Sequence, residues 1–391
     1  MAKKEEKKAL KKGQANFQLI GKVKIGDFTY KIDQQSKTSD WLYNQMNLGV
    51  DCGDGNIVYA DMMGGYGTER DNVLYVHGKK KSDNSDKLID DYENRYTISW
   101  EDRFDETLTE GIGENCFITV GIEKDSKGKT FAKKFLSQYD AIEYTKEHLE
   151  DGTIVNVKGS LKYSEYNESL QIKKEINSIF LSKVEKESDF KAKFTQTILV
   201  HRDSVSFDKD REVYNIEAYI VDFLGKLDNR KINENIVYTK VFEMAVDQTN
   251  PEKTNKLISK IFKTSKGLKE ITVEGELVEG QSMTKVSADD IPNDIKELIE
   301  YGAITLEDYQ GRAAIGGNKE KKMVIKTPSI KFVEKDGAKS PVILMEESKY
   351  QESDLVFLHQ FLEEEIEELE EDSDEDDSED LDDDLMSLLN D

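Results

Sequence analysis

Lysines and aromatic rings alternate along the hairpins this chain is predicted to form, and the two residue types together do one kind of chemistry. An ammonium group takes a phosphate and a flat ring takes a base, so strands carrying both can hold a single nucleic-acid strand without reading its sequence. In the first half the set runs Lys22, Lys24, Phe28, Tyr30 and Lys31, then Trp41, Tyr43 and Tyr59. It continues with Tyr75, His77, Lys79, Lys80 and Lys81, then Tyr96, Trp100 and Arg103. Lys129, Phe131, Lys133, Lys134 and Phe135 follow, and Lys158, Lys162, Tyr163 and Tyr166 close it. Any single ring of this set reads better as core; the cluster carries the inference. The second half offers thinner material, among it Lys193, His201, Arg202, Tyr214, Arg230 and Tyr238, so the first half is expected to bind more strongly.

Catalytic patterns are missing. The sequence has no phosphate loop, no HExxH, no CxxC, no GxSxG and no EF-hand loop, so an enzyme is not expected, nor a cofactor or a metal. Gly64-Gly65-Tyr66-Gly67 reads as a turn after a strand, because no Lys-Ser/Thr and no helix start follow it. The two cysteines, Cys52 and Cys116, read as small buried residues of a reducing cytoplasm, and the four histidines show no ligand spacing beside them. No apolar run reaches the roughly 20 residues of a membrane span. The start, MAKKEEKKALKK, lacks the apolar stretch of a signal peptide, so a cytoplasmic protein without membrane contact is expected.

The elements that must position these residues are mostly strands. NFQLIGKVKI alternates apolar and polar residues. Residues 41–52 and 57–65 flank Gly53-Asp54-Gly55 as a hairpin, and 67–115 is too long for an ordinary loop and reads as a hairpin excursion. Residues 116–124 and 129–135 form another hairpin, 138–149 a helix, and 154–166 and 170–184 two closing strands. Five strands with a helix before the last two match the OB-fold, a partly open Greek-key barrel, and the mid-strand glycines Gly21 and Gly159 suit its bend. The order then repeats: 194–202, a hairpin of 212–225 and 235–246, a helix at 251–263 opened by Pro251, then 269–281 and 323–335. The expected fold is mainly β: two tandem OB-fold-like barrels, short helices and a disordered acidic tail. The expected units are a basic disordered arm (1–15), a first barrel (16–186), a second (187–345), a C-terminal helix (346–371) and the tail (372–391).

The tail is a separate electrostatic object. Residues 361–391 hold 18 acids and no Lys or Arg, which leaves −8 of the net −26 for residues 1–360. Such a run repels itself and is expected to be disordered. It closes on LDDDLMSLLND, where acids steer and Leu385, Met386, Leu388 and Leu389 offer apolar anchors. A purely solubilising tail is the alternative.

Two β-barrel halves, no catalytic motif and the acidic tail LDDDLMSLLND resemble the single-stranded-DNA-binding proteins of large bacteriophages. The resemblance implies coating of single-stranded DNA during replication, recombination and repair, with Leu385, Met386, Leu388 and Leu389 docking partner proteins. Bacterial relatives end in a proline-phenylalanine pair, and this chain ends in leucines and Asn390-Asp391, so docking on the same host pocket is not carried over by the resemblance. Oligomeric state stays open, a monomer included. The net charge keeps two rivals in view: an acidic chaperone or DNA mimic that binds basic proteins through the tail, and a structural β-sandwich protein.

Overall fold

The computed structural model describes residues 7–82, 85–166, 169–227, 230–279, 321–335 and 338–362. The period-two alternation of apolar residues puts one face of each strand inward, and sheets with one buried face must curl or pack to cover it. Here they curl. The first half runs β1 (Ala15–Lys24), β2 (Tyr30–Gln35), β3 (Trp41–Asp51), β4 (Ile57–Gly67), β5 (Val73–Ser82), β6 (Ser85–Ser99), α1 (Glu106–Thr109), β7 (Ile118–Lys124), β8 (Thr130–Phe135), α2 (Gln138–His148), β9 (Ile154–Tyr166) and β10 (Ser169–Leu181). Strand β1 pairs with β3, β3 with β4, β4 with β10, β10 with β9 and β9 again with β1, which closes a five-stranded ring. Strand β10 also runs parallel to β7. Strands β4 and β7 therefore share one lane, and the excursion between them leaves and rejoins it.

The second half repeats the ring. It comprises β11 (Lys191–Val200), β12 (Val205–Asp208), β13 (Val213–Leu227), β14 (Arg230–Ala245), α3 (Pro251–Ile261), β15 (Leu268–Val278), β16 (Lys322–Pro328), β17 (Ile330–Lys335), β18 (Ala338–Ile343) and β19 (Met345–Tyr350). Pairings β11–β13, β13–β14, β14–β16, β16–β15 and β15–β11 close it, with α3 again before the last two strands. Both rings are OB-like barrels of one topology.

One continuous sheet joins the barrels. Strands β1 and β11 lie antiparallel from Ala15↔Gln196 to Ile20↔Lys191, so an approximate two-fold axis passes between them. Phe17 and Phe194 face each other there, and each packs on the mid-strand glycine of its own barrel, Gly159 and Gly275. A Cβ on Gly159 would sit 1.9 Å from the Glu175 carbonyl, so the close approach excludes any larger residue. Each barrel also extends a hairpin onto the other. Tyr163 of β9 donates its backbone N–H to Asp222 and its hydroxyl to Gln196 at 2.8 Å. In return Asn56 bonds the backbone of Leu277 and Glu279, and Glu279 pairs with buried Lys174 at 2.6 Å. A single apolar core spans both barrels.

The expected free arm and C-terminal helix differ from what the structure holds. Residues 7–14 lie across the second barrel, with Leu10 buried among Leu199, Val221, Val237, Leu268, Tyr350 and Leu355. Lys12 pairs with Asp222, and the Lys8 backbone N–H bonds Asp354, so the arm's apolar residue and short reach to β-rich partners fix it in place. Residues 345–350 form β19 against β15, a 3-10 turn follows at Glu352–Asp354, and α-helical residues start only at 358. The acid run from 363 onward, with Leu385, Met386, Leu388 and Leu389, lies outside the described residues.

Candidate nucleic-acid interface

The outward faces of β3 and β4 carry three of the first barrel's ring candidates, Trp41, Tyr43 and Tyr59, because strand alternation sends Met46, Leu48, Val50, Val58, Ala60 and Met62 inward. Tyr59 stands outward beside Gly49, its partner across the ladder, and Lys24 is Gly49's partner on the other side. A Cβ at Gly49 would meet the Tyr59 ring at 3.0 Å, so glycine lets the ring lie low over β3. Next along come Asn47 opposite Asp61, then Lys31 opposite Gln45, then Tyr43 opposite Gly65 and Trp41 opposite Gly67. Trp41 and Tyr43 stack with centroids 4.8 Å apart. Between residues 41 and 49 this strip runs about 26 Å at the usual strand rise.

At the Tyr59 end the strip opens into a groove of about 720 Å³, lined among others by Lys24, Phe28, Lys31, Gln45, Asn47 and Tyr59. Phe28 projects from the loop between β1 and β2 and is 86% exposed; Tyr59 is 47% exposed. Two uncommitted rings, two lysines and two amides converge there. Asp27 and Asp151 also line it, but Asp151 accepts the backbone N–H of Ile25 and so braces the loop. Asp61 stands opposite Asn47 on the strip, and burial raises its carboxyl above the ordinary value.

The remaining predicted residues scatter. Tyr30, Trp100 and Tyr163 are withdrawn from any surface role. The Tyr30 hydroxyl is buried without a partner and pushed up to about 12 by that burial. Trp100 is 7% exposed, packed on Tyr66 and under the Arg103 guanidinium, which in turn holds Asp140 of α2. It staples the excursion to the barrel. Tyr163 is buried between the barrels, and that burial drives its phenol far above the ordinary range. Several lysines already have carboxylates: Lys22 with Glu187, Lys24 with Asp51 at 3.7 Å, Lys79 and Lys134 with Glu114, Lys80 with Asp91 and Lys81 with Asp86. Exposed pairs of this kind are weak and exchange readily for a phosphate. Lys129 is exposed in the β7–β8 turn, and Lys133 lies 4.2 Å over the Tyr144 ring. Lys162 faces Lys173 directly across β9–β10, and both are exposed; like charges set opposite one another disfavour the sheet until an anion joins them.

Sequence reading missed one cluster. Folding brings the Cys116 thiol within 3.1 Å of His77 Nδ1, with His77 Nε2 3.4 Å from Asp90. Burial pushes the Asp90 carboxyl up, but the backbone N–H groups of Asn115 and Glu114, with His77, outweigh it and leave it low. Burial pushes the Cys116 thiol up, so at neutral pH it stays protonated and ties β7 to the excursion. Among the described residues no group of three or more His, Cys, Asp and Glu side chains is placed to hold a metal ion. Nor is any helix among them long and apolar enough to cross a membrane.

Fold and site together define a double OB-barrel protein with a ring-and-lysine groove on its first barrel. The chain belongs to the YorF family, whose sequence model matches residues 111–372. No curated protein matches it. In fold it is similar to the single-stranded DNA-binding protein of Thermus aquaticus. The wild-type crystal structure aligns at 10% identity and a TM-score of 0.28, covering 68% of this chain and 86% of that one. A deletion mutant of the same protein aligns at 8% identity and 0.28, covering 68% and 87%. A likeness this distant carries no weight for the groove, whose chemistry rests on its own residues.

Proposed function

We propose that this protein binds single-stranded DNA without sequence preference, through the first barrel. The observation that carries the reading is the groove where exposed Phe28 and Tyr59 stand beside Lys24 and Lys31 on a rigid sheet. Rings for stacking and cations for phosphates, with no base-reading helix among the described residues, suit unpaired strands of any sequence. Its work is to coat strands left unpaired in replication, recombination and repair, with no chemical step of its own and no cofactor. In this reading Leu385, Met386, Leu388 and Leu389 dock partner proteins from the acidic tail. Titration with oligo-dT and with duplex of equal length tests it. Single strands should bind far more tightly, with affinity falling by about 0.7 log units per phosphate contacted for each log unit of salt. Equal affinity for duplex, or binding of basic proteins in place of oligo-dT, would remove it.

A further inference from the structure

The excursion between β4 and β7 holds a second surface of the same chemical kind, away from the groove. Strands β5 and β6 form a two-stranded ribbon outside the main sheet. A lone ribbon is marginal in water, and the apolar face of this one is anchored by Val76 and Ile98 packed with Ile112 and Leu136. Alternation then forces the opposite face outward. It carries Tyr75 opposite Thr97 and His77 opposite Arg95, with Tyr92 just beyond.

Tyr75 is 85% exposed and Tyr92 54% exposed, an unfavourable display for a soluble ribbon unless something covers it. The display is also held in order. The His77 and Tyr92 rings lie 4.5 Å apart, and Asn115 donates to the Tyr92 hydroxyl at 2.7 Å. Arg95 Nε donates to the Tyr92 carbonyl at 2.8 Å. Cys116 and Asp90 hold the imidazole from behind. Tyr75, His77, Tyr92 and Arg95 border a groove of about 560 Å³. Among the described residues no acid lines this groove, and an arginine does. Flat rings beside a guanidinium, in a lining without carboxylates, select a polyanion with stackable faces.

We propose that this ribbon face is a second stacking platform for single-stranded DNA. It rests on the function proposed above and lengthens the footprint of that site. The ribbon leaves the barrel at the Trp41 end of the strip: Gly67, the partner of Trp41, bonds Asn72, and β5 begins at the next residue. In this reading a strand that runs off the groove past Tyr43 and Trp41 continues onto the ribbon.

The test uses the full chain and an oligo-dT series shorter and longer than the about 4–16 nucleotides that one OB barrel covers. Tyr75→Ala and Arg95→Gln change exposed side chains, and thermal melting checks that each variant is folded. Short oligonucleotides should bind both variants as they bind the parent. Long ones should bind the Tyr75→Ala variant about tenfold or more weakly, the loss of one stacked base. Unchanged affinity for long strands overturns the proposal, as does an equal loss on short ones, which would place Tyr75 in the first groove. Loss of a protein partner with no loss of long-strand affinity overturns it too, and marks the ribbon as a protein-docking face. If the parent binds no oligonucleotide at all, the function proposed above falls, and this inference with it.

Discussion

The two barrels share a ladder and differ in what stands on it. In the first, Lys22 pairs with Asp51 and Asp51 with Ile57; in the second, Leu199 pairs with Tyr219 and Tyr219 with Thr239. One step along from these rows, Lys24–Gly49–Tyr59 of the first barrel corresponds to His201–Glu217–Val241 of the second. The cation becomes a histidine 3.9 Å from Glu217, the glycine becomes that glutamate, and the ring becomes an exposed valine. Lys31 opposite Gln45 corresponds to Asp208 opposite Val213. The row through Leu199 and Tyr219 is not open at all. Leu10, Tyr350 and Leu355 cover it, Phe357 meets the Tyr219 ring edge-on at 5.7 Å, and Val237 donates its backbone N–H to Val356. Topology repeats because inward residues repeat. A binding face depends on outward residues, which packing leaves free to differ.

The largest expected effect comes from stripping the first barrel's rings. Changing Phe28 and Tyr59 to Ala should cost about 1–3 kcal/mol of single-strand affinity for each ring that stacks on a base. Val241→Ala, at the matching place in the second barrel, should leave affinity unchanged. Fluorescence titration with oligo-dT measures both, and equal losses from the two barrels would erase the contrast between them.

Next comes the cover on the second barrel. Leu10 is buried against six apolar neighbours, so Leu10→Ala should lower stability by about 2 kcal/mol, the low end for a leucine truncated in a core. Oligo-dT affinity at a temperature where the variant stays folded should not move. Denaturant unfolding gives the first quantity, and an accompanying fall in affinity would show that the covered face takes part in binding.

The smallest effect is one of pH. The Gln351 and Lys8 backbone N–H groups hold the Asp354 carboxyl below the usual carboxylate range. A carboxyl that is lower in the folded state contributes stability at neutral pH. That stability is lost as pH falls below about 3.9 and through the folded value. Acid should therefore release residues 7–14 and 354–362 before it opens β3–β4. Amide-exchange protection, corrected for the intrinsic pH dependence, should fall there first; a first loss in β3–β4 would contradict this.

Much of the frame was legible in the sequence, because hairpins and amphipathic helices are written in local period. The turn at Gly53-Asp54-Gly55, the excursion, α2, and α3 with its Pro251 all stand where residue spacing put them. The short strands β2 and β12 escaped notice, since four to six residues carry little period. The three- and four-residue spacing at 355–369 predicts a helix that extends back over 346–350, where the structure has β19. At the site the limits were sharper. Composition singled out Tyr30, Trp100 and Tyr163 alongside Tyr43 and Tyr59, since a ring's type does not say which face of a strand it takes. The pairing of Lys22 with Glu187 spans 165 residues and leaves no local trace. One signal was available: glycines on a strand opposite rings, Gly49 with Tyr59 and Gly65 with Tyr43, mark where an aromatic lies flat on a sheet.

In the proposed function the first barrel grips the strand and the second does not. Photo-crosslinking of the intact protein to oligo-dT carrying halogenated uracil, followed by peptide mapping, distinguishes the two barrels. Adducts are predicted on Phe28, Tyr43 and Tyr59 of the first barrel, with none on residues 213–245. Adducts confined to 213–245, or none on the first barrel at saturating oligonucleotide, would contradict it.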